Sequence, residues 1–241
     1  MQSVAVRLIV ERERAVNAHE PAISFKVAAR FDVDGDAVLK AKGGKSFGSE
    51  EEARDFLEAS ARSIFTISDI VTRPTKRRPS APFTTSTLQQ EASRKLGFSV
   101  SRTMSVAQRL YESGSITYMR TDSTNLADSA IRQAAAVIGE SYGSDYVKTR
   151  NFSTKSSGAQ EAHEAIRPTN FNNATAGDNA DQERLYDLIW KRAIASQMSD
   201  AQLEKTTVTI DVSEAEADLK ATGEVMKFDG FLKVYMEGTD D

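Results

Sequence analysis

The 241-residue sequence contains no cysteine, two histidines, five prolines and one tryptophan. Without cysteine the chain can form no disulfide framework, no thiol nucleophile and no cysteine-based zinc ribbon, and two histidines are too few ligands for a structural zinc site. No apolar run approaches the roughly 18 residues of a membrane-spanning helix. The first residues have neither a basic nor an apolar signal region, so we expect a cytoplasmic protein without a membrane partner.

The composition is that of a folded globular protein, with 39% hydrophobic and 27% charged residues. Its net charge of −4 hides an uneven distribution: residues 72–120 hold nine basic and two acidic side chains, and residues 200–241 hold four basic and eleven acidic ones. A concentrated basic segment is typical of phosphate binding, although a solvated basic loop has the same composition.

The hydrophobic pattern indicates a multi-domain α+β fold. Alternating apolar residues predict antiparallel strands within residues 22–42, 206–212 and 225–235. Helical patterns lie between the first and the second of these stretches. Three prolines in residues 74–82 mark a boundary. We therefore predict three parts: a helical tail at 1–18, a sheet domain formed by 19–76 and 204–241, and an inserted helical domain at 77–203.

The start of the inserted domain resembles a winged helix. Thr84 or Thr85 is expected to cap a helix that ends at Gly97, and Ser101 to cap a second helix that ends at Gly114. An extended segment at 115–119 would then form the wing. The same reasoning predicts further helices near residues 50–61, 127–138 and 181–198.

Acidic side chains at alternate positions, Asp32, Asp34 and Asp36, suggest a metal loop. An EF-hand would need glycine at its sixth position and glutamate at its twelfth, where this chain has Ala37 and Gly43. A hairpin turn explains the triplet better, and we expect no metal site in this chain.

The most informative segment for chemistry is residues 116–123, with the sequence ITYMRTDS. If it is extended, Tyr118 and Arg120 share a face, so a phenol and a guanidinium could converge on one phosphate. A tyrosine hydroxyl can act as a covalent nucleophile, but it is mostly protonated at neutral pH and needs a neighbouring cation. A tyrosine that simply packs beside a wing is the alternative.

At this point the sequence resembles the bacterial type IA DNA topoisomerases. The resemblance is carried by four motifs in order, and the opening stretch is similar to the family's segment leading out of its single-strand-binding domain. The motifs are residues 82–91 (PFTTSTLQQE), 107–112 (AQRLYE), 116–123 (ITYMRTDS) and 161–169 (EAHEAIRPT), and the opening stretch is residues 2–13 (QSVAVRLIVERE).

The resemblance implies a role for individual residues. Tyr118 matches the nucleophile that forms a 5′-phosphotyrosine link to a broken single strand, and Arg120 matches the arginine that positions the scissile phosphate. His163 matches an active-site histidine near the bound strand. Four further positions match the family's DNA-contacting motifs: Asp122, Arg167, Thr169 and Gln2.

The resemblance also implies a reaction and its partners. The family relaxes negatively supercoiled duplex DNA by cleaving one strand, passing a strand through the break and religating without ATP. It does so inside a toroid, whose β-sheet arch carries the tyrosine domain. Mg²⁺ is held by an amino-terminal Toprim domain that would precede residue 1 and act as a partner, so we expect these 241 residues alone to be inactive. The expected localisation is the bacterial cytoplasm, in association with the nucleoid, and the expected DNA partners are single-stranded and negatively supercoiled duplex DNA. Two alternatives remain: a non-catalytic winged-helix DNA-binding module and a purely structural arch.

Overall fold

The chain divides into two compact units in the computed structural model, which describes residues 2–33, 37–152, 163–215 and 217–236. The sheet unit comprises Met1–Arg73 and Lys205–Gly223, and the helical unit comprises Pro74–Glu204 and Glu224–Asp241. The chain passes between the units within three strands. Each unit has its own hydrophobic core.

The strands form one five-stranded sheet in the order β1-β2-β5-β4-β3, and the predicted antiparallel pairing is confirmed. Their bounds are β1 Phe25–Val33, β2 Ala37–Phe47, β3 Phe65–Arg77, β4 Ala201–Val212 and β5 Leu219–Phe228. The helices are α1 Gln2–Asn17, α2 Glu50–Ser60, α3 Thr85–Glu91, α4 Val100–Glu112, α5 Asp128–Tyr142 and α6 Ala180–Ser196. A π-helical stretch, Ala92–Leu96, continues α3, and short 3₁₀ helices span Ser144–Tyr146 and Gly230–Lys233.

The sheet unit packs α2 on one face of its strands. Side chains in β1 alternate between half-buried and exposed, as expected for a sheet with one covered face. Ser49 begins α2, because its hydroxyl accepts a hydrogen bond from the Glu52 backbone N–H at 3.2 Å. The Phe47 and Phe56 rings, 5.2 Å apart, join the helix to the sheet. The predicted helix is confirmed; the predicted hairpin turn at 34–35 lies outside the described residues.

The helical unit is built around α6, most of whose residues are buried. The Trp190 indole donates to the Phe171 carbonyl at 2.9 Å, so its one polar group is satisfied in the core. The Tyr186 hydroxyl donates to the Asn173 carbonyl at 2.6 Å, and burial raises the pKa of this tyrosine to about 12. These buried aromatic side chains give the unit a rigid interior.

Two helix boundaries can be compared with those predicted from the sequence. The π-helical stretch after α3 ends at Gly97, whose φ of 68° is left-handed, as predicted. The cap of α4 is Ser99 rather than the predicted Ser101: the Ser99 hydroxyl accepts from the Arg102 N–H at 3.2 Å. Ser101 already lies in the first helical turn, so the prediction was wrong by half a turn.

The predicted wing at 115–119 is not a β-hairpin in the structure. Within it only Ile116 forms a β-bridge, and its partner is Pro168. Ile116 and Met119 both bury their side chains, and a spacing of three is incompatible with the period of two in a strand. The segment therefore bends where the sequence predicted extension.

The end of the chain departs from the predicted domain division. The strand expected over 225–235 ends at Phe228, and a 3₁₀ helix follows. Gly230 permits this change, because its φ is +51° and a Cβ there would lie 2.5 Å from the Ser199 carbonyl oxygen. Phe231 and Tyr235 then pack in the core of the helical unit. Residues 224–236 therefore belong to the helical unit and not, as predicted, to the sheet domain.

Candidate functional site

Three segments that are distant in sequence are joined by backbone hydrogen bonds in the helical unit. The Ile166 N–H donates to the Phe83 carbonyl at 2.8 Å, and the Thr117 N–H donates to the Arg167 carbonyl at 2.9 Å. The Thr117 hydroxyl also donates to the Ala165 carbonyl at 2.7 Å. The segment around Tyr118 is thus fastened along one side to the residues that follow His163.

The other side of the segment is fastened to the start of α3. The Thr85 hydroxyl donates to the Met119 carbonyl at 2.7 Å and accepts from the Thr121 N–H at 2.9 Å. The Thr85 N–H donates to the Thr121 carbonyl at 2.9 Å. The short loop between Thr117 and Thr121 is therefore held at both ends.

An open cleft of 530 Å³ lies beside this loop. Its lining consists of hydroxyl and charged side chains, without large apolar groups, which suits a polar or charged ligand. The lining residues are Thr84, Thr85, Ser86, Arg120, Thr121, Asp122 and His163. The fold thus brings together three residues singled out from the sequence, which come from two motifs more than 40 positions apart: Arg120, Asp122 and His163.

Arg120 is the cleft residue suited to a phosphate. Its side chain is exposed, and within the described part of the chain it has no carboxylate partner at ion-pair distance. Several other arginines of the helical unit pair with carboxylates, among them Arg102 with Asp181 at 2.8 Å and Arg167 with Glu164 at 2.6 Å. An unpaired guanidinium presents several N–H donors in a plane, the geometry that phosphate oxygens match.

Tyr118 lies on the same loop with its ring 40% exposed. The ring packs edge-on against Tyr111, with the centroids 5.2 Å apart. Met119, between Tyr118 and Arg120, is 1% exposed and anchors the loop in the core. The expected strand is absent, yet the side chains of Tyr118 and Arg120 remain at the surface because the Met119 side chain between them packs into the core. Tyr118 itself does not line the cleft.

The structure separates Arg167 and Thr169 from the cleft lining. The Arg167 side chain is 12% exposed, and it pairs with Glu164 and donates to the Pro168 carbonyl at 2.8 Å. The Thr169 hydroxyl donates to the Gly114 carbonyl at 2.6 Å. In this structure both side chains brace the framework. Gln2 begins α1 in the sheet unit, and its side chain lies outside the described residues.

Sequence reasoning missed the hydroxyl side of the cleft, formed by Thr84, Thr85 and Ser86. From the sequence, Thr84 and Thr85 are predicted as alternative helix caps and belong to the motif at 82–91, with no predicted role in a cleft. The available signal was the run of hydroxyl residues in the motif at 82–91, which continues past the one position that a cap requires. A run of this kind supplies more hydroxyl groups than one helix end can use.

The described residues contain no group of three or more histidine, cysteine, aspartate or glutamate side chains that could hold a metal ion. Asp32 lies in β1, while Asp34 and Asp36 fall outside the described residues. No helix in the described ranges is long and apolar enough to cross a membrane.

Comparison with known proteins gives a consistent result. A family model described as DNA topoisomerase matches residues 1–241. The chain is 45% identical over 253 residues to DNA topoisomerase 1 of Zymomonas mobilis and 44% identical over 256 residues to that of Pseudomonas aeruginosa. These matches cover 100% of this chain but 21% and 29% of the two relatives. The chain therefore spans less than a third of their length.

A solved structure also has this fold. The full-length topoisomerase I from Thermotoga maritima matches with a TM-score of 0.77 and 36% sequence identity. The match covers 100% of this chain and 41% of the Thermotoga chain. The resemblance identified from the motifs is confirmed at the level of the family.

Proposed function

This chain belongs to the bacterial type IA DNA topoisomerase family, and from that membership we propose that it carries the strand-cleaving half of a type I topoisomerase active site. The substrate is one strand of negatively supercoiled duplex DNA, or single-stranded DNA. Tyr118 is the nucleophile, and the cleft beside it receives the phosphodiester backbone. The reaction changes DNA topology without altering the net chemistry of the strand, so the enzyme is an isomerase.

The observation that carries this proposal is Arg120, which has no carboxylate partner at ion-pair distance among the described residues. An exposed guanidinium of this kind is available to an anionic ligand, and a phosphodiester supplies one charge of the correct sign. Arg120 is two positions from an exposed tyrosine, on a loop fastened at both ends. His163 and the hydroxyl groups of Thr84 and Ser86 add hydrogen-bonding groups along the same cleft.

The proposed step is a transesterification. The Tyr118 hydroxyl oxygen attacks the phosphorus and forms the 5′-phosphotyrosine bond, while the bond from phosphorus to the 3′-oxygen breaks. The tyrosine loses its proton and the leaving 3′-oxygen gains one. Arg120 stabilises the negative charge on the non-bridging oxygens. One phosphodiester replaces another, so religation is the reverse step and needs no nucleotide cofactor.

The remaining parts of the proposal concern the rest of the relatives' length. We assign the sheet unit to the arch of a toroidal enzyme, α1 to the edge of a single-strand-binding domain, and Mg²⁺ to a Toprim domain outside these 241 residues. His163, Asp122, Arg167, Thr169 and Gln2 are the proposed DNA-contacting residues; Arg167 and Thr169 would act through the framework that they brace. The isolated chain is expected not to cleave DNA.

The test is covalent trapping. The 241 residues replace the matched segment of the Zymomonas mobilis enzyme, and the chimera is mixed with Mg²⁺ and a single-stranded oligonucleotide labelled at its 3′ end, then quenched in detergent. The label should migrate with the protein on a denaturing gel. Tyr118→Phe should abolish the labelled adduct. Tyr142→Phe, at the carboxyl end of α5, is the control variant and should retain the adduct.

The outcome of the trapping experiment also distinguishes the topoisomerase proposal from its alternatives. An adduct that survives in Tyr118→Phe would refute the assignment of the nucleophile. A chimera that binds duplex DNA with a sequence preference, yet forms no adduct, would favour the non-catalytic DNA-binding module. The isolated chain serves as a third sample, and a covalent adduct from it alone would contradict the expected inactivity.

A further inference from the structure

We propose that Thr85 is a positioning residue, whose hydroxyl fixes the loop that presents Tyr118 and Arg120. This inference rests on the function proposed above. It assigns Thr85 no contact with the reacting atoms. Its effect is transmitted through the backbone on both sides of Arg120.

The hydrogen bonds of the Thr85 side chain support the inference. Its hydroxyl oxygen lies 2.7 Å from the Met119 carbonyl oxygen and 3.1 Å from the Thr121 carbonyl oxygen, and it accepts from the Thr121 N–H at 2.9 Å. These groups belong to the residues immediately before and after Arg120. One hydroxyl therefore bridges the backbone on both sides of the guanidinium-bearing residue.

The hydroxyl of Thr85 is not needed for capping α3. The preceding residue, Thr84, is the cap: its hydroxyl accepts from the Thr87 N–H at 3.3 Å, and the Thr87 hydroxyl accepts from the Thr84 N–H at 2.9 Å. This reciprocal pair is a complete capping box. The Thr85 hydroxyl, at the next position, makes its hydrogen bonds to the loop instead.

The loop has few other restraints between its ends. Met119 is buried, and Thr117 is tied to the Ala165 and Arg167 carbonyls. Tyr118 and Arg120 have no hydrogen bond or ion pair to the described residues that would orient them independently. Without the Thr85 hydroxyl, the Thr85 N–H still donates to the Thr121 carbonyl, but the links to the Met119 carbonyl and the Thr121 N–H are lost, so the Arg120 backbone is held less tightly while the buried anchors remain. A displacement of about 1 Å at a reacting group is enough to slow catalysis by roughly a hundredfold.

The variants separate the hydroxyl from the rest of the side chain. Thr85→Val keeps the shape and loses the hydroxyl, and Thr85→Ala loses the hydroxyl without placing a methyl group against the Met119 carbonyl. Thr85→Ser keeps the hydroxyl and should restore the wild-type behaviour. Thr87→Val is the matched control, because it breaks the capping box in the same helix and makes no bond to the loop.

The first measurement is amide hydrogen exchange in the 241-residue chain, which requires no catalysis. Exchange at Thr121 should accelerate at least tenfold in Thr85→Val and Thr85→Ala, and it should stay near the wild-type rate in Thr85→Ser and Thr87→Val. Unchanged protection in both hydroxyl-free variants would overturn the proposal, whatever the chain does to DNA.

The second measurement is the rate of adduct formation by the same variants in the chimera, together with their affinity for the oligonucleotide. Thr85→Val should slow cleavage by tenfold to a hundredfold, with affinity changed less than twofold and the rate recovered in Thr85→Ser. Cleavage within twofold of wild type would overturn the positioning role while Tyr118→Phe still tests the proposed function. An equal loss in Thr87→Val would also overturn it, because damage to the helix would then explain the effect.

Discussion

The sheet unit and the helical unit bury their apolar side chains to different depths. Within the described residues the core of the sheet unit contains eight buried residues, most of them on one face of the strands and on α2. The core of the helical unit contains twenty-eight, several of them aromatic and fully enclosed. Many large apolar side chains of the sheet unit are instead exposed, among them Leu8, Ile9, Ile64, Ile67 and Ile70. The helical unit therefore has the greater apolar contribution to stability.

The two units also differ in the charged side chains that they bury. The buried charged residues of the described chain, Glu91, Arg192 and Asp200, all lie in the helical unit. Glu91 accepts a hydrogen bond from the Tyr235 hydroxyl at 2.8 Å, and burial raises the pKa of that tyrosine. Buried groups of this kind must be paired, so they restrict the unit to one arrangement. A loop that must hold Tyr118 and Arg120 in place benefits from such a frame, whereas a sheet with one open face provides none.

The largest expected effect is the difference in the free energy of unfolding when a leucine is replaced by alanine in each of the two units. Leu110 is 0% exposed in the helical unit and Leu57 is 52% exposed in the sheet unit. Leu110→Ala should lower the free energy of unfolding of the helical unit by about 2–5 kcal/mol, because it leaves a cavity. Leu57→Ala should change that of the sheet unit by less than about 0.5 kcal/mol.

Hydrogen exchange resolved by residue, measured against denaturant, reports each unit separately. An equal cost for the two leucines would contradict the contrast in burial, since Leu57 would then have to be covered in solution.

A smaller effect is expected from the buried carboxylate, and it depends on pH. Burial opposes the ionisation of Asp200, but hydrogen bonds and charges from Lys148, at 2.7 Å, and from Arg150 outweigh it and hold its pKa below the ordinary value of 3.8. Its contribution to stability is present above that value and is lost as the pH falls through the lowered pKa. Asp200→Asn should therefore cost about 1–3 kcal/mol at pH 7.

Denaturant unfolding of wild type and variant between pH 7 and pH 2 checks this dependence, and the difference in the free energy of unfolding should decrease toward the acid end. Asp211→Asn in β4 of the sheet unit is the matched change, since this exposed carboxylate accepts from the Ser68 hydroxyl at 2.6 Å and has no cationic partner among the described residues. It should cost less than about 1 kcal/mol. A pH-independent loss in Asp200→Asn would show that the ion pairs do not contribute.

The smallest effect should be the same in both units. Ser49 caps α2 and Ser99 caps α4, each accepting from an N–H at 3.2 Å. Because a cap acts within one helical turn, Ser49→Ala and Ser99→Ala should each cost about 1 kcal/mol, whatever the size of the surrounding core. Ser101→Ala, which removes the cap expected from the sequence, should cost less than about 0.5 kcal/mol.

Protection of amides in the first turns of α2 and α4 measures these costs directly. A clearly larger loss for Ser99→Ala than for Ser49→Ala would indicate that the stability of a cap depends on the unit around it, and a large loss for Ser101→Ala would reinstate the predicted cap.

Local features of the fold could be predicted from the sequence. The left-handed glycine at Gly97 and the start of α2 after Ser49 are predictable from one to four neighbouring residues. The same local rules restrict the cap of α3 to Thr84 or Thr85, and the structure has Thr84. Ser99 was missed, because two serines two positions apart satisfy the same local rule and only the path of the chain selects one. The strand expected through Gly230 failed for a similar reason: the close approach of the Ser199 carbonyl is not visible in the pattern.

Residue type, spacing and motif are enough to identify the family, the two kinds of structure along the chain and the candidate residues Tyr118, Arg120 and His163. Three features become visible only in the folded chain: Arg120, Asp122 and His163 share a cleft, Arg167 is paired with Glu164, and Thr85 bridges the backbone around Arg120. Each of these depends on contacts between segments more than 30 residues apart or on competition for a partner. Such contacts follow from the packing of the whole helical unit, and no local pattern encodes them.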